Sequence, residues 1–281
     1  MKTQIEILKE YGLQVKGHLG QHLLIDPNLQ RKIVDLLDAK EKDEILEIGP
    51  GLGAITGEML SRGYNVLAVE TDSRFSEVLK KEYADYLPDQ FRLIEGDVLK
   101  TDFEKFGVKK KKKPAIKVIG NLPYYITAPV LFHLLSYRGF FSRGVFMVQK
   151  EVAQRMIASP GTKDYGRLTL GIRYAVTVQR AFDVPPRCFT PRPEVDSSVV
   201  VMDFHPDEKL LPKNEEEKVF SLIKTAFSQR RKTLLNLLSR EASIKKDRSE
   251  IEKIFQGFGW KLTVRGEELL LKDYIALAQA L

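Results

Sequence analysis

The sequence has 281 residues, 43% of them hydrophobic and 30% charged, a composition expected of a soluble globular chain with one large domain and a small appendage, or two ordinary domains. No apolar run approaches the ~18 residues of a membrane span, the single cysteine, Cys188, excludes an internal disulfide and a cysteine-cluster metal site, and the four histidines lack metal-binding spacing. Lysine and arginine outnumber the acids 45 to 38, a net charge of +7 that favours polyanionic partners such as nucleic acid.

The first residues, Met1 to Gln14, mix charges among apolar side chains and carry no secretory pattern, so a cytoplasmic protein is expected. Glu44–Ile48 reads as a short apolar strand, followed by a glycine turn and a helical pattern from Ala54 to Leu60. Further strands are expected at 65–70, 91–95, 115–120 and 144–148, several of them with helix-length spacers between. This alternation predicts an α/β fold with an open, mostly parallel sheet. Two later runs, 176–182 and 195–204, are joined by a proline-rich connection too short for a crossover helix, which predicts an antiparallel hairpin at the sheet edge. Beyond His205 only helical patterns remain, at 215–226, 231–238, 248–255 and 271–281, so the domain boundary is placed at 205/206. The lysine run Lys109–Lys113 reads first as a solvated loop tip, with phosphate contact as the alternative.

Gly49 and Gly51 lie where a strand ends and a helix begins, the place where glycines admit a ligand to the backbone. Both NAD and S-adenosylmethionine fit such a turn. Glu70 closes the second strand and is placed to take ribose hydroxyls, which both cofactors offer. Asp97, in Glu95-Gly-Asp-Val98, is placed to accept from an adenine amino group, with a turn or cap role as the alternative. Together with the next motif it tips the reading to S-adenosylmethionine.

That motif is Gly120-Asn121-Leu122-Pro123-Tyr124-Tyr125. Adenine N6 is a poor nucleophile because its lone pair is delocalised into the ring, so a methyltransferase must hold it in place and favour its pyramidal form. The Asn121 side-chain carbonyl and the Leu122 or Pro123 backbone carbonyl are the acceptors for its two hydrogens. Tyr124 offers a face for an unstacked base. Phe189 reads equally as a second aromatic wall or as a core residue beneath a proline loop.

With these motifs in order, the chain resembles the small-subunit ribosomal RNA adenine N6,N6-dimethyltransferases. The resemblance runs through Gly20-Gln-His-Leu-Leu24, Glu47-Ile-Gly-Pro-Gly-Leu-Gly53, Glu70, Gly96-Asp97, Asn121-Leu-Pro-Tyr-Tyr-Ile-Thr127, Phe189-x-Pro-x-Pro-x-Val-x-Ser197 and Ala226-Phe-Ser-Gln-Arg-Arg-Lys-Thr-Leu234. It implies a Rossmann-like seven-stranded sheet of the S-adenosylmethionine-dependent methyltransferase kind, in residues 1–205, with a small all-helical C-terminal domain, 206–281. It adds His22 and Leu24 as cofactor contacts beside Gly49, Glu70, Asp97 and Asn121, and implies that Tyr124 and Phe189 sandwich the target adenine. The implied substrate is a pair of adjacent adenosines in a hairpin loop near the 3′ end of small-subunit rRNA, in a pre-30S particle, each methylated twice. A monomer without membrane or metal partners is expected.

Arg230, Arg231 and Lys232 are read as phosphate contacts at a helix start, with a solvated face as the alternative. Rival readings are the large-subunit rRNA methyltransferases of macrolide resistance, a DNA adenine methyltransferase, and a ribosome-assembly factor. The Phe227-to-Leu234 stretch leading into further helices favours the small-subunit family over the first.

Overall fold

The computed structural model describes residues 2–15, 21–106, 115–206 and 210–281. Lys109–Lys113 lies outside the described residues. The chain divides into two compact units, Met1–Ala153 with Thr177–Pro206, and Gln154–Val176 with Asp207–Leu281.

The first unit begins with helix α1 (Gln4–Glu10), whose Thr3 and Glu6 form a capping box. Strand β1 (Leu23–Leu24) and helix α2 (Pro27–Asp35) follow; Asp26 accepts two amides at the start of α2 and Pro27 sits where no amide is needed. Then come β2 (Glu44–Ile48), α3 (Ala54–Ser61), β3 (Asn65–Glu70), α4 (Ser73–Glu82), β4 (Phe91–Glu95), β5 (Ile116–Asn121), α5 (Thr127–Ser136) and β6 (Phe141–Gln149). After α6 (Lys150–Met156) and α7 (Arg167–Ala175), the chain forms β7 (Val176–Val184), β8 (Phe189–Thr190) and β9 (Ser197–Phe204).

Seven strands form one sheet in the order β4-β3-β2-β5-β6-β9-β7. Its first five are parallel, and β9 runs antiparallel to β6. Four of the five residues of β2 and five of the six of β3 are buried, as strands covered on both faces must be. The predicted hairpin enters the sheet through β9, with β7 at the edge. Strands β1 and β8 pair separately, Leu24 opposite Phe189.

The second unit is helical: α7, α8 (Lys213–Ala226), α9 (Leu234–Leu238), α10 (Arg248–Gly257) and α11 (Leu271–Ala280). Phe255, Tyr274, Leu234 and Val219 are buried in one cluster that includes Ala158, Tyr165 and Leu170. These last three correct the 205/206 boundary: segment 154–176 belongs to the second unit and contributes Ala158, Tyr165 and Leu170 to its core. The Tyr165 hydroxyl donates to Leu269 O and that of Tyr274 to Gly266 O, each at 2.8 Å, so both buried phenols are satisfied.

The basic triplet is also corrected. The helix expected at 231–238 starts at Leu234, and its Thr233 hydroxyl accepts the Asn236 amide, so Arg230, Arg231 and Lys232 lie in the preceding turn. Arg230 is an internal brace: its guanidinium pairs with Glu267 at 2.9 Å and donates to the carbonyls of Thr162, Lys163 and Tyr165. Arg231 and Lys232 are exposed. Arg230→Ala is therefore expected to lower Tm by about 2–5 °C, whereas Arg231→Ala is expected to leave it unchanged. Differential scanning calorimetry checks the pair, and equal shifts would remove the brace.

Candidate active site

Strand β2 has β3 on one side and β5 on the other, so the chain order reverses there and leaves a crevice at the C-terminal ends of the parallel strands. A cleft of about 580 Å³ occupies this place, within the roughly 300–1,000 Å³ of small-molecule sites. His22, Leu24, Gly49, Gly51, Glu70, Asp97 and Asn121 all line it, as does Pro123.

The floor of the cleft is the turn after β2. Gly51 and Gly53 have φ of +60° and +83°, and a Cβ on Gly53 would come within 2.4 Å of the Tyr83 ring. Only glycine lets the backbone adopt this path and come that close. The Glu70 carboxylate reaches into the same turn and accepts the Gly51 amide at 3.0 Å and the Asp72 amide at 2.9 Å. Burial pushes its pKa up to about 7, against the two amides that favour the anion. Asp97 caps a short turn through the Leu99 amide at 2.9 Å while lining the cleft, so its two readings hold together.

The Asn121 amide is oriented by the N-terminal arm: its Nδ2 donates to the His22 carbonyl at 2.8 Å, which leaves Oδ1 as the open acceptor. Leu122 is buried, and its amide donates to Met147 O at 3.0 Å. The Pro123 carbonyl already accepts from the Ile126 amide at 3.2 Å and the Thr127 hydroxyl at 3.1 Å. Tyr124 stacks on His22, with ring centroids 5.5 Å apart, and its hydroxyl lies 2.7 Å from Ser197 Oγ. Burial raises its pKa. The His22 ring is in turn held by Pro191 O, 2.8 Å from Nδ1.

Phe189 is the correction here. At 2% exposure it packs in the core cluster with Leu24, Ile33 and Val199 and does not line the cleft. Its pairing opposite Leu24 sets this orientation, a long-range contact invisible in the local sequence. Tyr124 is not among the lining residues either; among the described residues, the aromatic rings at the cleft belong to His22, Phe75 and Tyr125, the last 69% exposed and carrying no assigned role in the sequence motif.

Sequence reasoning also missed Glu47 and Asp72. Glu47 is fully buried and accepts the Thr56 hydroxyl at 2.6 Å; burial, together with the nearby Glu70 charge, pushes its pKa up to about 8. Asp72 starts α4, receives Gln21 Nε2 at 3.0 Å, and is drawn down to about 2, chiefly by Arg74. A carboxylate whose folded pKa lies above its ordinary 4.5 contributes stability present below that value and lost as pH rises through about 8. Glu47→Gln, which keeps an acceptor for Thr56, is expected to match wild-type Tm near about pH 4.5 and to exceed it increasingly toward about pH 8. A Tm difference that is flat with pH would contradict the buried, protonated Glu47.

The residues present fit S-adenosylmethionine: a glycine cradle that side chains would fill, a buried carboxylate held by two amides at the turn, and a second carboxylate at Asp97. Fold and site define the class of S-adenosylmethionine-dependent methyltransferases. The family model for ribosomal RNA adenine dimethylase matches residues 12–256. A Ribosomal RNA small subunit methyltransferase A from Syntrophus aciditrophicus is 41% identical, covering 98% of this chain and 97% of the relative. One of the same name from Halothermothrix orenii is 39% identical over 98% of this chain and 91% of its own length. Among solved structures, a dimethyladenosine transferase from Plasmodium falciparum superposes with a TM-score of 0.77 at 28% identity, covering 91% of this chain and 96% of that one. The 23S rRNA methyltransferase ErmE, at 22% identity and a TM-score of 0.66 over 92% of this chain and 98% of its own, shares the fold.

The chain belongs to the ribosomal RNA adenine dimethylase family. It is a methyltransferase of rRNA adenine. Among the described residues, no helix is long and apolar enough to cross a membrane.

Proposed function

We propose that this chain transfers methyl groups from S-adenosylmethionine to N6 of two adjacent adenosines in a hairpin loop near the 3′ end of small-subunit (16S) rRNA, giving N6,N6-dimethyladenosine. The substrate is a pre-30S particle, the working unit a monomer, and the compartment the cytoplasm. The observation that carries the reading is the Asn121 amide, held by the His22 carbonyl so that Oδ1 is left as acceptor beside Pro123 at the cleft. The names of the relatives support the small-subunit target.

Gly49 and Gly51 would hold the cofactor through their backbone, Glu70 its ribose hydroxyls and Asp97 its adenine amino group, with His22 and Leu24 closing over it. When bound, it supplies an electrophilic methyl group. The chain's own work is to hold N6. Because the Pro123 carbonyl is already engaged twice, the second acceptor beside Asn121 Oδ1 is the Leu122 carbonyl. As positive charge grows on N6, both dipoles stabilise it more than they stabilise the neutral amine, which is the condition for catalysis by binding. No strong base is required, since the resulting ammonium is acidic and its proton passes to water. After one methylation N6 keeps a single hydrogen, so one carbonyl suffices for the second round.

Tyr124 gives the unstacked base its platform, and Phe189 joins it only if the β8 segment turns its ring out of the core. The helical unit contacts rRNA backbone, with Arg231 and Lys232 as phosphate partners. Radiolabelled methyl transfer onto undermethylated small subunits, followed by mapping, tests the reading. Label in two adjacent adenosines near the 3′ end is expected; label confined to large-subunit rRNA, or none, overturns it.

A further inference from the structure

Tyr124 is held at both ends. Its backbone lies in a single 3-10 turn, Tyr124–Ile126, closed by the Ile126 amide on the Pro123 carbonyl. Its hydroxyl meets Ser197 Oγ at 2.7 Å, and one ring face is taken by His22 with the two planes 28° apart. Ser197 is 0% exposed and opens β9 opposite Gln149, two residues along from the Met147 carbonyl that receives the Leu122 amide.

The next residue, Ser198, is equally buried, but side chains alternate along a strand, and its hydroxyl donates to Asp183 Oδ1 at 2.7 Å on the opposite face. Asp183 is engaged there by Lys150 at 3.0 Å. Two adjacent buried hydroxyls therefore make two separate bonds, and only that of Ser197 leads to the acceptor motif.

A tyrosine ring moves about two side-chain torsions. Pinning its far end to a buried partner fixes both, and removing that partner leaves a desolvated hydroxyl that must seek another, moving the ring with it. With His22 on one face, the platform reading assigns the other face to a base.

We propose that Ser197 is a positioning residue for methyl transfer: by holding the Tyr124 hydroxyl it fixes the plane on which the target adenine lies. The inference rests on the reading of Tyr124 as the base platform.

The test uses the full-length protein and undermethylated small subunits, with S-adenosylmethionine affinity measured separately by calorimetry. Ser197→Ala is expected to lower kcat about ten-fold, the scale of one buried hydrogen bond, with cofactor affinity unchanged and Ser197→Thr restoring the rate. Tyr124→Phe, which deletes the same bond from the other side, is expected to reproduce the loss, and Ser197→Ala added to it to cost nothing more. Ser198→Ala removes an equally buried bond on the same strand and is expected to shift Tm comparably while kcat stays near wild type.

Equal loss of kcat from the two serine variants, or a full further loss from Ser197→Ala in the Tyr124→Phe background, overturns the positioning role. Tyr124→Ala separates this failure from a deeper one. Wild-type rate in that variant overturns the platform reading itself, whereas a large loss there with additive serine effects overturns Ser197 alone.

Discussion

Asn121→Ala is expected to reduce methyl transfer by about a hundred- to a thousand-fold, the scale of losing a donor or acceptor aimed at developing charge, while rRNA affinity stays within a few-fold. The asymmetry follows from the geometry. Asn121 sits at the end of β5 with its Nδ2 on the His22 carbonyl, so its substitution removes the proposed N6 acceptor and leaves the proposed phosphate partners Arg231 and Lys232 in place. Asn121→Asp should fall between the two: it retains an acceptor for N6 but sets a carboxylate oxygen against the His22 carbonyl, where a donor is needed. Single-turnover rates on undermethylated subunits, with filter-binding affinities alongside, check both variants. Wild-type rate in the alanine variant would sink the proposed chemistry.

Glu70→Ala is expected to weaken S-adenosylmethionine binding by about 12- to 150-fold, the range for hydrogen bonds to a charged group. Two losses combine, because the same carboxylate that is proposed to take the ribose hydroxyls also holds the Gly51 amide of the glycine turn. Glu70→Gln separates them: its carbonyl still accepts one amide, so the turn survives better than the ribose contact. Isothermal titration calorimetry reads the dissociation constants, and unchanged binding in Glu70→Ala would remove this residue from the site.

The sequence made legible those parts of the molecule that depend on local pattern. Alternating apolar strands and helices give the parallel half of the sheet, and Gly49, Gly51, Glu70, Asp97 and Asn121 could be located because each falls at a strand end, where side chains and backbone turn toward one crevice. What escaped depends on residues far apart in the chain. Phe189 reads equally as an aromatic wall or a core residue until its pairing with Leu24 is known, and Arg230 reads as a phosphate contact or a solvated charge until Glu267 and three carbonyls meet it. Glu47 gave no signal, since a charge within an apolar strand ordinarily marks the solvent face, whereas here Thr56 satisfies it inside. The segment 154–176 was assigned by its place in the chain, though its Ala158, Tyr165 and Leu170 pack in the helical core.

The arm that orients Asn121 has a consequence for the order in which the enzyme is made. His22 and Pro191, which hold one another through the imidazole, are separated by 169 positions in sequence, and Leu24 pairs with Phe189 across a similar gap. Closing so long a loop costs entropy that no local contact repays, so this junction forms only when most of the sheet is already in place. On a translating ribosome the arm is among the first segments to emerge, yet its partner strand is among the last of the first unit to be synthesised. A nascent chain ending before β8 carries the glycine turn and the carboxylates Glu47, Glu70, Asp72 and Asp97 that line the cleft, but has no seat for the arm, so the contact that orients Asn121 has to wait for β8.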